Sequence, residues 1–90
     1  MNERVNRFSK PQLARKCRLR YDEVREADLL LLPERVVKLN ATGAAILRLC
    51  DGRRSIQDIV QELEARYKQT GLESDITEFL ENASAQGWLK

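Results

Sequence analysis

The chain contains no histidine. That removes the commonest general base and the commonest metal ligand at one stroke. Cysteine is scarce: Cys17 and Cys50 are the only two, too few to build a structural zinc site unaided. Nothing marks the chain for secretion, so a disulfide is not expected, and each thiol reads as a small apolar core residue. There are four glycines and two prolines. Gly43, Gly52, Gly71 and Gly87 stand singly, at helix ends or close contacts, so no glycine-rich phosphate loop exists. Long apolar runs are missing too. The longest, Leu29-Leu30-Leu31-Leu32, is far short of the ~20 residues that span a bilayer and suits a buried strand. Met1 to Arg7 lacks the apolar stretch of a signal peptide, and a cytoplasmic location is expected. Together these absences lead us to expect no catalysis, no cofactor, no metal and no membrane. Ser55 and Ser74 read as helix caps, since no base is at hand to activate them. Asp75 and Glu78, three apart, read as a solvated helix face.

What is present suits one soluble domain. Ninety residues bury about 60% of the surface of the unfolded chain, enough for one modest core. The net charge of +2 hides an asymmetry. Residues 1 to 20 carry seven basic groups against Glu3, whereas the remainder carries nine basic and thirteen acidic groups. Residues 1 to 14 are polar and aperiodic, and we expect a flexible basic arm there, leaving 15 to 90 as the folded domain.

Beyond the arm, Cys17, Leu19 and Tyr21 alternate with Arg18, Arg20 and Asp22. A period of two predicts a strand with one packed face. Asp28 to Leu32, apolar on both faces, predicts a central strand. Pro33-Glu34 turns the chain, and Val36 to Leu39 forms a third strand. Short connections favour an antiparallel meander with the first and third strands at its edges. Asn40 then caps a helix over Ala41 to Cys50, and Asp51-Gly52 ends it. Ser55, with Asp58 in capping-box position, starts a second helix. Its stripe of Ile56, Ile59, Val60, Leu63 and Tyr67 is helical. A third helix starts near Ser74 or Asp75, with Ile76, Phe79, Leu80, Ala83 and Gly87 in the same spacing. The fold class is therefore α+β: a small three-stranded antiparallel sheet followed by a three-helix bundle, in a winged-helix-like arrangement.

Two binding functions suit such a module. A winged-helix-like DNA-binding regulator is one. Against it, residues 55 to 90 carry seven acids and three bases, and a helix showing Asp75, Glu78 and Glu81 would repel phosphates. Peptide binding is the other. The third strand has one charge and no proline, so its edge is poorly protected and open to strand addition. A covering helix or a second copy of the chain, making a homodimer, would serve the same edge equally well.

The ordered set of motifs adds to this reading. Arg18-Leu19-Arg20-Tyr21-Asp22, Leu31-Leu32-Pro33-Glu34, Val37-Lys38-Leu39-Asn40, Ala45-Ile46-Leu47, Asp51-Gly52, Asp75-Ile76 with Phe79-Leu80, and Gly87-Trp88-Leu89 resemble the PqqD family of pyrroloquinoline quinone (PQQ) biosynthesis. The likeness covers roughly residues 11 to 90. It implies a non-catalytic peptide chaperone, a recognition element for a ribosomally made and modified peptide. Such a protein binds the precursor peptide PqqA and delivers it to the radical S-adenosylmethionine enzyme PqqE, which joins a glutamate to a tyrosine. It also implies where the peptide lies: along Val36, Val37, Lys38, Leu39 and Asn40, and against Ile76, Phe79, Leu80 and Ala83. Many members carry glycine after this Pro-Glu, where this chain has Arg35. Either the turn needs no left-handed residue there, or Arg35 itself meets the peptide.

Overall fold

A computed structural model describes residues 8–90. Three strands, β1 (Arg18–Asp22), β2 (Ala27–Leu31) and β3 (Val36–Leu39), precede three helices, α1 (Ala41–Arg48), α2 (Ile56–Tyr67) and α3 (Glu73–Ala85). The sheet is antiparallel in the order β1-β2-β3. Its centre is the strand whose two faces are both apolar, as its composition requires.

The strand connections are set by local chemistry. Between β1 and β2 the Asp22 carboxylate accepts from the amides of Val24, at 3.0 Å, and Arg25, at 3.2 Å, and pairs with the Arg25 guanidinium. These bonds hold its pKa below the usual carboxylate range. Glu26 completes the turn in the left-handed region, at φ 52°. Between β2 and β3, Leu32 donates its amide to the carbonyl of Arg35 at 2.8 Å. Arg35 is not among the residues with positive φ, so this turn does not need glycine.

Helix starts follow their caps. Asn40 accepts from the Gly43 amide at 2.7 Å. Ser55 and Asp58 form the reciprocal capping box. β2 spans Ala27–Leu31, one residue earlier at each end than the expected Asp28 to Leu32, and two helix boundaries also differ from expectation. α1 stops at Arg48, because Leu49 and Cys50 donate to carbonyls three residues back, a tightened last turn. α3 begins at Glu73, and Ser74 is not its cap. The first described group there, the Leu72 amide, bonds instead to the Glu64 carboxylate of α2 at 3.0 Å.

The core lies between the inner face of the sheet and the helices. Leu30, Leu47, Ile56, Ile59, Leu63 and Leu80 are its largest fully buried side chains, each contributing about 1.5–3 kcal/mol by leaving water. Cys17 and Cys50 are buried, free thiols. Burial pushes the Cys50 thiol up to about 12, and also raises that of Cys17.

The expected arm needs correction. Residues 1–7 lie outside the described residues, but 9–14 are stitched to the body. Ser9 and Pro11 carbonyls accept from Ile56 and Gly52, Leu13 donates to Cys50, Ala14 donates to Trp88, and Lys90 donates to Gln12. Pro11 is buried. The segment bonds through its backbone, which explains why no side-chain periodicity announces it.

Candidate functional site

β3 ends the sheet, and no strand of the described residues lies beyond it. Its bonding parity follows from the turn before it. In an antiparallel pair, hydrogen-bonded and non-bonded residue pairs alternate. Leu32 and Arg35 are a bonded pair. The register then makes Leu30/Val37 and Asp28/Leu39 bonded, and Leu31/Val36 and Leu29/Lys38 non-bonded. Val37 and Leu39 therefore hold β3 to β2 through their backbone groups. Val36 and Lys38 turn theirs to the open edge, where a further extended chain would pair.

Side chains alternate in the perpendicular direction. Val37 and Leu39 pack on the core, while Val36 and Lys38 are exposed. The strand is thus anchored by one pair of residues in both senses, which leaves the other pair free.

Two contacts tie α3 to the chain on either side of β3. At the strand's start, the Arg35 guanidinium donates to the Gln86 side-chain carbonyl at 3.3 Å. At its end, the Phe79 ring lies against Gly43. Here α1, α2 and α3 enclose a groove of roughly 590 Å³. Asp75, Ile76 and Phe79 of α3 line it, with Leu63 and Tyr67 of α2 and with Leu72, which precedes α3. Asn40, Thr42, Gly43 and Ile46 form its end, and Gln69 stands at the loop.

The expected site residues divide three ways. Val36, Val37, Lys38 and Leu39 form the edge strand, with Arg35 at its entrance. Asn40, Ile76 and Phe79 line the groove beyond its end. Leu80 and Ala83 do neither: both are buried and, unlike the equally buried Ile76, they do not line the groove. The correction has a simple cause. Helical spacing places Leu80 and Ala83 on the core stripe, and the adjacent stripe through Asp75, Phe79 and Gln86 faces the groove and turn.

Thr42, Gly43, Ile46, Leu63, Tyr67, Gln69, Leu72 and Asp75 were not foreseen. One carried a signal. A glycine in the first turn of a helix costs about 0.5–1 kcal/mol relative to alanine, so Gly43 pointed to a close approach. A Cβ there would stand 3.0 Å from Phe79 Cε1 and 3.1 Å from the Asn40 side-chain oxygen.

The groove lining mixes apolar side chains with polar ones, Asn40, Thr42, Gln69 and Asp75 among them. Among the described residues, no cluster of three or more histidine, cysteine, aspartate or glutamate side chains could hold a metal. No described helix is long and apolar enough to cross a membrane. The arrangement can grip an extended chain: backbone bonds along the edge, then a recess for a side chain beyond it.

Residues 29–89 match the family model for coenzyme PQQ synthesis protein D (PqqD). The chain belongs to the PqqD family. It is 39% identical to a protein of Methylococcus capsulatus named PqqA binding protein, over 88% of this chain and 85% of that one. Proteins of the same name from Azotobacter vinelandii and Pseudomonas aeruginosa are 43% and 41% identical, covering 89% and 91% of this chain and 88% and 90% of theirs. The solution NMR structure of the PqqD truncation of Methylobacterium extorquens PqqCD superposes with a TM-score of 0.76 at 38% identity, over 89% of this chain and 87% of that one. That protein is described as a functional, stand-alone recognition element for a ribosomally synthesized and post-translationally modified peptide. The three-strand, three-helix order is shared with it.

Proposed function

We propose that this chain binds the precursor peptide PqqA, as relatives with 39–43% identity are named for doing, and presents it to the radical S-adenosylmethionine enzyme PqqE in PQQ biosynthesis. It acts without chemistry of its own. The observation that carries the reading is the open edge of β3, with the Val36 and Lys38 backbone groups directed away from β2. The peptide adds as a fourth strand, and its side chains alternate between the α3 side and solvent. One apolar side chain past Asn40 enters the groove against Phe79 and Ile76. The peptide contacts are then Arg35, Val36, Lys38, Asn40, Ile76 and Phe79, with Val37 and Leu39 supporting the strand from beneath.

Nucleic-acid binding has less support. α3 exposes Asp75 and Glu78, the wrong sign for phosphate. Fluorescence anisotropy with labelled PqqA and with labelled duplex DNA, each at two salt concentrations, separates the readings. We expect saturable peptide binding with weak salt dependence. Binding of the duplex but not the peptide would overturn the proposal. Ternary complex formation with PqqE, followed by calorimetry, tests the presenting step separately.

A further inference from the structure

The two faces of the sheet meet different surroundings. Leu19, Leu30, Val37 and Leu39 pack into the core. On the opposite face, the register lays two rows across the three strands: Arg18, Leu31 and Val36, then Arg20, Leu29 and Lys38. Neither Leu29 nor Leu31 belongs to the core or to the side chains packed against it. Val36 is 58% exposed. Among the described residues, Arg18, Arg20 and Lys38 enter no ion pair. Asp22 has the same strand parity, but its carboxylate is committed to Arg25 and Val24 in its own turn.

We propose that this outer face docks a folded protein partner presenting carboxylates around an apolar patch, while the peptide occupies the edge of β3. Charge complementarity sets the sign: three cations surround the leucines, and no described residue pairs with them. The leucine centre sets the class, because a nucleic-acid backbone rewards bases but leaves Leu29, Leu31 and Val36 unburied. A second copy meeting face to face would oppose cation to cation. Direction permits both ligands at once. Strand addition uses backbone groups in the plane of the sheet, while these six side chains stand perpendicular to it. The inference rests on the presenting role proposed above and locates its surface: the partner class is the enzyme that receives the peptide.

The test uses the full chain, labelled PqqA, and PqqE as the protein probe. The double variant Arg18→Glu with Arg20→Glu lies on β1, away from the peptide edge. We expect it to keep the parent's circular dichroism and peptide affinity, and to bind PqqE at least ~10-fold more weakly. If the double variant fails to fold, Arg20→Ala is expected to weaken PqqE binding several-fold and to reduce its salt dependence. Unchanged PqqE affinity in a folded variant overturns the surface while sparing the presenting role. If the parent itself fails to bind PqqE, both fall. Loss of duplex DNA binding, or of self-association by sedimentation, with PqqE affinity intact would assign the face to nucleic acid or to a second copy and overturn the proposal.

Discussion

The Phe79 ring rests on Gly43, so close that a Cβ there would sit 3.0 Å from Cε1 and 3.3 Å from Cζ. This contact joins α3 to the first turn of α1 and forms one corner of the groove. Gly43→Ala improves helix propensity by about 1 kcal/mol but displaces either the ring or the Asn40 cap. We expect the thermal midpoint to move by only a few degrees and PqqA affinity to fall ~10-fold. Unchanged affinity would mean that the ring position is unimportant for binding.

Truncation tests the N-terminal stitching. Removing residues 1–14 deletes the Ser9, Pro11, Gln12, Leu13 and Ala14 backbone bonds and uncovers Cys50 and the Trp88-Leu89 end. We expect the loss of several kcal/mol, at about 1 kcal/mol per bond, seen as a large drop in urea midpoint. A midpoint equal to the parent's would make the segment dispensable.

Ser55→Ala removes one arm of the α2 capping box. The expected cost is about 1 kcal/mol, a fall of roughly 4–8 °C in thermal midpoint. The box lies away from the groove, so peptide affinity should hold. A fall in affinity at constant stability would contradict that separation.

Stability should respond to acid through the loop aspartates. The Asp51 carboxylate accepts from the amides of Arg53 and Arg54 and pairs with the Arg54 side chain, which lowers its pKa; Asp22 is held low in the same way by Arg25 and Val24. A carboxylate whose folded pKa is depressed contributes stability above its unfolded value, near 3.9, and that contribution is lost as pH falls through the folded pKa. The thermal midpoint is therefore expected to be level near neutrality and to fall below about pH 4. Asp51→Asn should flatten part of that fall. At the alkaline end the raised Cys50 pKa, about 12, favours the neutral thiol. The folded protein should resist thiol-specific reagents at pH 8 and react once denatured. Rapid native labelling would show that the core opens easily.

Much of the fold was legible because its elements carry their own periods. Cys17 to Asp22 alternates, Ile56 to Tyr67 repeats at helical spacing, and Asn40 and Ser55 announce the helices they cap. What was illegible depends on contacts remote in sequence. Residues 9–14 bond through main-chain groups, which leave no residue pattern. The start of α3 is tied by Glu64, eight residues earlier. Within α3, Ile76, Phe79, Leu80 and Ala83 look like one stripe, and only burial separates Phe79 at the groove from Leu80 and Ala83 in the core. The parity of β3 was likewise hidden, since it depends on how the Leu32–Arg35 turn closes.

That parity gives the most direct test of the central claim, that peptide adds to the edge of β3. Proline removes a backbone donor and is tolerated in a strand only where that donor points away from the sheet. Val37→Pro deletes a bond to β2 and is expected to unfold the protein or destabilise it strongly. The decisive variant is Lys38→Pro, with Lys38→Ala as the side-chain control. The account predicts that Lys38→Pro keeps the parent's circular dichroism yet binds labelled PqqA at least ~10-fold more weakly, on the order of 1.4 kcal/mol, while Lys38→Ala retains most of the affinity. A folded Lys38→Pro protein that binds PqqA as tightly as the parent would contradict it, and would move the contact from the strand edge to the helices.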